Sequence, residues 1–416
     1  MFLQKAISFL GIFLIMFLLW LISENRKKFP FRIVIWGLIL QFAIGGLILN
    51  FPAGVWFFKW FGDQVSAFLN FSLKGASFLF GNLPDNQHQN VFGYQFAIII
   101  TATVVFFSAF VSVLYHYKIM QKIVYAMAWV MQKTMGTSGV ESLSAASNIF
   151  LGQTEAPLMI RYYLPTATRS EINTIMVGGF ATIAGGVMAA YIQMGIPAEQ
   201  LITASLISVP GGLMLSKILI PPEGRGLKLS EIQNIETTKA DNALIALTDG
   251  AGDGLKLALN IMAMLIAFVS MIAIIDQLFL FAHQGFQYFG WNGFPETLKG
   301  FFGVIFSPFA YLVGIPQNEV QSFSALLGTK ISLNEFIAYA DLSQMLHSGA
   351  ISPRTAKLAA FALCGFANFS SIAIQIGGLG SLAPNQKTTI AKLGFKAMFT
   401  GALVNILTAT VAGILI

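Results

Sequence analysis

The hydrophobic pattern of this chain is one of long, unbroken runs. Eight uncharged stretches, at 6–23, 33–58, 95–117, 172–198, 200–216, 257–275, 358–386 and 397–416, are each long enough for a transmembrane helix. Such a helix needs about 20 mostly apolar residues to cross a hydrocarbon core of about 30 Å. A ninth stretch, 300–318, contains Pro308 and reads as an interfacial or kinked helix. Between these runs, 55–80 alternates aromatics with Lys59, Asp63 and Lys74, the pattern of an amphipathic helix lying on the membrane, and 118–135 reads the same way on the other face. The polar stretch 221–249 reads as a cytoplasmic connection.

Two regions are too polar to span and too apolar to be loops. In 138–165, Ser138 and Glu141 have capping-box spacing, an apolar run to Phe150 follows, and Leu151-Gly-Gln-Thr-Glu-Ala-Pro157 breaks it. Pro157 suits the first turn of a new helix. Each half holds roughly ten residues, or ~15 Å of helix at 1.5 Å per residue, which is half a hydrocarbon core and fits a re-entrant hairpin. The region 318–343 has the same form, with a break around 328–335.

Each hairpin is followed by a span interrupted at its centre, at Gly179-Phe-Ala-Thr-Ile-Ala-Gly-Gly186 and at Gly365-Phe-Ala-Asn-Phe-Ser-Ser371. The order Thr154-Glu155 then Gly179-Phe-Ala-Thr182 repeats as Asn334-Glu335 then Gly365-Phe-Ala-Asn368. The predicted fold class is an all-α polytopic membrane protein: eight transmembrane helices, two re-entrant helical hairpins, inverted repeats, broken helices and interfacial helices. Paired interruptions of this kind point to the midplane site of a secondary transporter, because irregular backbone is tolerated there only around a protein-lined or water-filled cavity.

Composition narrows the class. Of 416 residues, 56% are hydrophobic and 10% charged, against about 25% charged in soluble domains. The net charge of +6 comes from basic residues beside the apolar runs and calls for no nucleic-acid partner. Arg26, Lys27, Lys28 and Arg32 place the first connection in the cytoplasm, and Lys118, Lys122 and Lys133 fall two spans later on the same side. With eight spans both termini face the periplasm. The first apolar run lacks a small-residue cleavage site and reads as a retained span. The single Cys364 excludes disulfides and multi-cysteine metal sites.

Glu155 and Glu335 are the strongest individual signals, since an ionisable residue at membrane depth is costly and functional by default. Glu335 also has a local reading, because Ser332 and Glu335 have capping-box spacing. Asn368, Ser370 and Ser371 interrupt an apolar helix, with helix–helix hydrogen bonding as the plainer alternative. Glu141 and Glu171 read as structural capping acids. Asp249-Gly-Ala-Gly-Asp-Gly254 lacks the third ligand and the final acid of a calcium loop and reads as the glycine-rich start of a helix. Gly377-Gly-Leu-Gly380 lacks a dinucleotide fingerprint's spacing. The sequons at Asn70 and Asn368 carry little weight, and His88, His116, His283 and His347 lie outside the four breaks.

Two carboxylates with amides and hydroxyls, and no basic residue, suit a neutral solute rich in donors. A carboxylate accepts from neighbouring sugar hydroxyls, Gln153 both donates to and accepts from a heterocycle edge, and Phe366 offers an aromatic face. Asn148, Thr182 and carbonyls freed by unwinding supply oxygens for a coupling cation. An intramembrane enzyme using Glu155 and Glu335 as acid and base, and a passive channel, remain the alternatives at this point.

At these motifs the chain resembles the concentrative nucleoside transporter family. The resemblance is carried by Gly152-Gln-Thr-Glu-Ala-Pro157, Asn334-Glu-Phe336, Cys364-Gly-Phe-Ala-Asn-Phe-Ser-Ser371, Gly314-Ile-Pro316 and Gly254-Leu-Lys-Leu-Ala-Leu-Asn260. It runs from about Thr137 to the C-terminus and more loosely through the earlier spans. The resemblance implies a sodium–nucleoside symporter of the bacterial inner membrane, a homotrimer embedded in lipid, working by elevator-like movement. It implies an N-terminal scaffold (1–117), a first transport repeat (118–250), a long scaffold span (251–300) and a second transport repeat (301–416).

By position, Gln153, Thr154, Glu155 and Val187 would meet the nucleobase, with Leu257 and Phe366 as apolar walls. Glu335, Asn368 and Ser371 would bind the ribose of a nucleoside such as uridine. Sodium would fall on Asn148, Thr182 and the carbonyls of Leu151 and Ile183. The chain departs from the family pattern at Thr182, where Ser is expected, and at Gln317, where an aromatic is expected. Some members use protons, so proton coupling stays open beside sodium.

Overall fold

The computed structural model describes residues 2–84, 95–222, 224, 226–232, 240–291 and 293–416. His88 and part of the 221–249 connection lie outside the described residues. Every element among the described residues is helical, and seven helices are long and apolar enough to cross a membrane. The N-terminal part contains α1 (Phe2–Leu21), α2 (Phe31–Leu49), α3 (Pro52–Leu69), α4 (Phe71–Phe80), α5 (Phe96–His116) and α6 (Ile119–Met135). The second apolar stretch, read as 33–58, is shorter as a helix. It stops at Leu49 because Phe51 is extended and Pro52 opens α3, where a missing N–H costs nothing.

Next come α7 (Gly139–Ser147), α8 (Arg169–Ala181), α9 (Gly185–Gln193) and α10 (Ala198–Leu219). Both expected capping boxes form, Ser138 with Glu141 and Thr168 with Glu171. The second half of the first hairpin differs from expectation. Pro157 lies in a 3₁₀ segment, Ala156–Ile160, rather than in an α-helix, and a second 3₁₀ turn covers Leu164–Thr166. Pro165, eight residues after Pro157, keeps the first piece from extending as a longer α-helix.

The helix α11 (Ala243–Tyr288) has 46 residues, about 70 Å at 1.5 Å per residue. The reading 257–275 saw only its apolar middle, and residues 243–249 belong to it rather than to a connection. Asn242 caps it, accepting from the Ile245 N–H at 2.9 Å. The 249–254 glycine string therefore lies inside the helix, not at its start. A Cβ on Gly250 would sit 2.4 Å from Ser112 Oγ, and one on Gly254 would sit 2.8 Å from Val105 Cα. These glycines let α11 lie against α5 in the small-xxx-small manner of membrane helices.

The C-terminal part contains α12 (Leu298–Ile305), α13 (Ser307–Val313), α14 (Val320–Ser332), α15 (Glu335–Ser348), α16 (Pro353–Leu363), α17 (Phe369–Leu382) and α18 (Lys387–Leu415). Pro308, in the first turn of α13, splits the ninth stretch as expected. The break read as 328–335 is confined to Leu333 and Asn334. Asn334, not Ser332, caps α15, accepting from the Ile337 N–H at 3.0 Å. The stretch 358–386 is divided into α16 and α17, each too short to span alone.

Helices α8, α10 and α18 form the buried centre, with α1 and α2 packed onto α18 and α10. Lys217 of α10 is fully buried and donates to Glu141 Oε1 and, at 2.7 Å, to Ser170 Oγ. On the surface, Arg169 forks onto Glu24 at 2.9 and 3.1 Å, and Lys396 adds a third contact at 3.0 Å. The hydrogen bond from Arg169, with Lys396 beside it, holds the Glu24 carboxyl at about 2. A carboxyl lowered on folding stabilises the fold above its ordinary value and loses that contribution as pH falls through its folded value. The melting-temperature gap between wild type and Glu24→Gln is therefore expected to be small at neutral pH, under about 1 kcal/mol for partly exposed groups. It should close as pH drops from about 4.5 to about 2; a gap that widens in acid would refute the pairing.

Candidate functional site

The four interruptions meet. At the first broken helix, α8 ends at Ala181 and α9 begins at Gly185, with Thr182 in extended backbone. At the second, α16 ends at Leu363 and Asn368 caps α17, its Oδ1 accepting from the Ser371 N–H at 2.9 Å. Asparagine suits both unwound positions that precede a half-helix, Asn334 and Asn368, because its side chain satisfies the orphan N–H groups of the first turn. The two unwound segments touch directly, the Phe366 N–H donating to the Thr182 carbonyl at 3.3 Å. The tip of the first hairpin is tied on by the Gly185 N–H donating to the Phe150 carbonyl at 3.0 Å.

A chain of side-chain hydrogen bonds runs through this junction. Glu335 is buried and accepts from Tyr191 Oη at 3.1 Å and from Asn368 Nδ2 at 2.9 Å. Asn368 Oδ1 also accepts from Ser370 Oγ at 2.7 Å. Gln153 Nε2 donates to Ser371 Oγ at 3.1 Å, and Gln153 Oε1 accepts from Gln375 Nε2 at 3.0 Å. Glu155 sits at the exposed end, its Oε2 accepting from the Gly152 N–H at 3.1 Å. The helix–helix alternative weighed for Asn368 is met by its bond to the Glu335 carboxylate.

The remaining expected residues surround this chain. Thr154 packs on α17, its Cγ2 3.0 Å from where a Cβ on Gly378 would lie. Leu257 of α11 approaches Gly186 at the start of α9, 3.4 Å from a Cβ built there. Val187 is buried on α9, and Phe366 is half-buried. Gly179 cannot carry a side chain, since its Cβ would stand 2.8 Å from Gln375 Nε2 and 2.9 Å from Gln153 Cβ.

The groups expected around a cation border the first hairpin and the first broken helix. Asn148 caps the end of α7, is 1% exposed, and has a side-chain oxygen without a partner. A buried amide oxygen left unpaired is costly, so it marks a place for a ligand. Gly178 brings α8 within 3.3 Å of the Asn148 amide, measured from a Cβ built on it. Thr182 Oγ1 donates to the Gly178 carbonyl at 2.9 Å, which leaves its lone pairs free. Among the described residues, the carbonyls of Leu151 and Ile183 accept no hydrogen bond. An all-oxygen, uncharged set of this kind fits a monovalent cation, and no group of three His, Cys, Asp or Glu among the described residues fits a transition metal.

The expectation of no basic residue at the breaks is corrected. Lys330 of α14 is 1% exposed, and its ammonium reaches the end of α16, donating to the Ala362 carbonyl at 2.9 Å. Four partners escaped the sequence reading: Tyr191, Gln375, Lys330 and Asn405. Gln375 was signalled, lying one helical turn beyond Ser371 on the same face. Tyr191 and Asn405 lie among mostly apolar neighbours in their helices, and their partners lie more than 140 residues away, apart from one bond between Asn405 and the Cys364 carbonyl and one to Lys330.

Comparison with known proteins agrees with this geometry. Family models described as Na+ dependent nucleoside transporter N-terminus, nucleoside recognition, and Na+ dependent nucleoside transporter C-terminus match residues 10–83, 97–198 and 200–413. The chain is 38% identical over 418 residues to the nucleoside permease NupC of Helicobacter pylori, covering 99% of this chain and 98% of that one. It is 40% identical to human sodium/nucleoside cotransporter 1, covering 99% of this chain and 64% of that protein. Among solved structures, CNTnw in an inward-facing substrate-bound state superposes with a TM-score of 0.92 at 37% identity, over 99% of this chain and 98% of that one. The chain is a polytopic membrane transporter rather than an enzyme, and it belongs to the concentrative, Na+-dependent nucleoside transporter family.

Proposed function

We propose that the protein imports nucleosides in symport with sodium, by elevator-type alternating access. Glu335, Asn368 and Ser371 bind the ribose, Gln153, Thr154, Glu155 and Val187 meet the nucleobase, and Leu257 and Phe366 close the pocket with apolar surface. Sodium binds Asn148 Oδ1, Thr182 Oγ1 and the carbonyls of Leu151 and Ile183. The observation that supports the coupling is the unpaired Asn148 oxygen, on the same first hairpin that presents Gln153 five residues later. An ion there fixes the tip, so the nucleobase groups are ordered only in its presence. Free energy passes between the sites as a binding linkage.

The two hairpins are re-entrant, and residues 118–250 and 301–416 form the moving unit. Residues 1–117 and 251–300 form the scaffold of a homotrimer in the inner membrane, with both termini periplasmic. What supports the long α11 as scaffold is its line of apolar side chains left exposed in the single chain, among them Leu259, Ile266, Ile274 and Phe281.

The test is radiolabelled uridine uptake into proteoliposomes. An inward sodium gradient is expected to raise the initial rate about tenfold or more over equimolar potassium, the scale of ordinary coupling energies. Equal uptake in both salts would end the sodium reading, and uptake driven by a proton gradient alone would transfer the coupling to protons.

A further inference from the structure

The buried cation at the breaks has no place in the proposed binding scheme. Lys330 Nζ donates to the Ala362 carbonyl at 2.9 Å and to Asn405 Oδ1 at 2.5 Å. Asn405, fully buried on α18, then uses its own amide twice. Its Nδ2 donates to the Ala181 carbonyl at 2.7 Å and to the Cys364 carbonyl at 2.7 Å. Ala181 is the last residue of α8, and Cys364 follows the last residue of α16. One amide thus bridges the C-terminal ends of both half-helices, each of which leaves carbonyls orphaned and carries the negative end of its dipole. The ammonium of Lys330 lies against the end of α16 at Ala362 and holds that amide through its oxygen.

Space around the bridge is tight. A Cβ on Gly365 would stand 2.4 Å from Asn405 Oδ1 and 2.7 Å from the Phe180 carbonyl, and one on Gly401 would stand 2.4 Å from Phe180 Cβ. These close approaches pack the bridge tightly between the two broken helices, so it transmits displacement directly. Ala181 immediately precedes Thr182, and Cys364 lies four residues before Asn368. Fixing these two carbonyls to one rigid amide fixes the distance between the first unwound segment and the second.

We propose that Asn405, oriented by Lys330, is a positioning device that sets the spacing of the two unwound segments and so couples the ion site to the ribose site. The proposal rests on the reading of those segments as the sodium and ribose sites. Neither residue touches solute or ion. Asn405→Asp preserves size and the contact with Lys330 but removes both N–H donors. Lys330→Met removes the orienting cation, and Lys330→Gln restores a neutral donor to Asn405 Oδ1.

The experiment measures three quantities on detergent-purified protein. These are uridine Kd with and without sodium, thermal stability, and amide hydrogen exchange of peptides covering 182–184 and 364–368. Asn405→Asp is expected to weaken uridine about tenfold and to shrink the sodium-induced gain in affinity about threefold or more. Exchange should speed up in both segments while peptides from α1, α5 and α11 keep wild-type rates. Lys330→Met should follow the same direction and Lys330→Gln should recover most of the loss; this pair decides if Asn405→Asp does not fold.

Unchanged exchange and affinity in the variants would overturn the proposal. So would faster exchange throughout the chain, which marks a general structural role. A wild type whose uridine affinity ignores sodium refutes the ion reading alone, and exchange together with uridine Kd then still decides whether the bridge positions the second segment.

Discussion

Glu335→Gln is expected to weaken uridine binding by about 3 kcal/mol, on the order of a hundredfold in Kd, without loss of folded protein. An ionised carboxylate offers about four lone-pair sites. In the structure two are taken, by Tyr191 Oη and Asn368 Nδ2, which leaves two for the adjacent hydroxyls of a ribose. Glutamine of the same shape has one acceptor oxygen and an amide that can only donate. It must turn that amide toward either Tyr191 or Asn368, both donors in the present arrangement, or toward the sugar. Each outcome costs hydrogen bonds to a charged group, at about 1.5–3 kcal/mol apiece.

Folding should respond differently, because replacing a buried charge by a neutral amide relieves desolvation. Isothermal titration with uridine and a melting curve on the same sample separate the two effects. A variant that melts like wild type and binds uridine within about threefold of it would remove Glu335 from the ribose site.

The sequence disclosed this site through its interruptions. Asn368 stands out because a polar residue interrupts an apolar run there, whereas the cap role of Asn334 is masked in the sequence by the capping-box spacing of Ser332 with Glu335. Gly179 is legible only as the start of an interruption, and the structure adds the reason for a missing Cβ there, since Gln375 and Gln153 crowd the position. What remained hidden is the identity of partners from distant helices. Periodicity states which face of a helix is polar, not which other helix that face meets.

Tyr191 reaches Glu335 across 144 residues, and Asn405 reaches Ala181 across 224. Lys330 sat in plain view within the second hairpin, but its engagement by carbonyls follows from where α16 and α18 pass. The narrowness of the second break was hidden for a related reason. Gly328 reads as a helix breaker, yet it is helical because Phe302 fills its face, with the Phe302 Cβ only 2.1 Å from a Cβ built on the glycine. The length of α11 was hidden because the residues before its apolar centre are polar, and only its Asn242 cap marks the true start.

Lys217→Met is expected to be the most destabilising single change outside the binding pocket, and the double variant Lys217→Met with Glu141→Gln is expected to recover most of the loss. Both side chains are 2% exposed. Glu141 Oε1 accepts from Lys217, while its Oε2 accepts from the Ser138 N–H at 3.0 Å and closes the capping box of α7. Removing the lysine leaves an uncompensated buried carboxylate, which costs about 3–5 kcal/mol. For a chain of this size that is on the order of 3–6 °C in melting temperature.

Glutamine at 141 removes the charge while its carbonyl keeps accepting from Ser138. The double variant therefore loses the ion pair without exposing either half of it, and replacing both members of a buried pair is often nearly neutral. If the pair instead contributed mainly through attraction, the double variant would melt no higher than Lys217→Met. Melting of the purified variants distinguishes the two. The pair anchors the root of α7, with Asn148 at the far end of that helix seven residues beyond Glu141. Uridine uptake by the double variant at a temperature well below its melting point should match wild type, since neither residue faces the solute. An uptake defect that persists there would mean that the ion pair, and not merely its stability, aligns the first hairpin for transport.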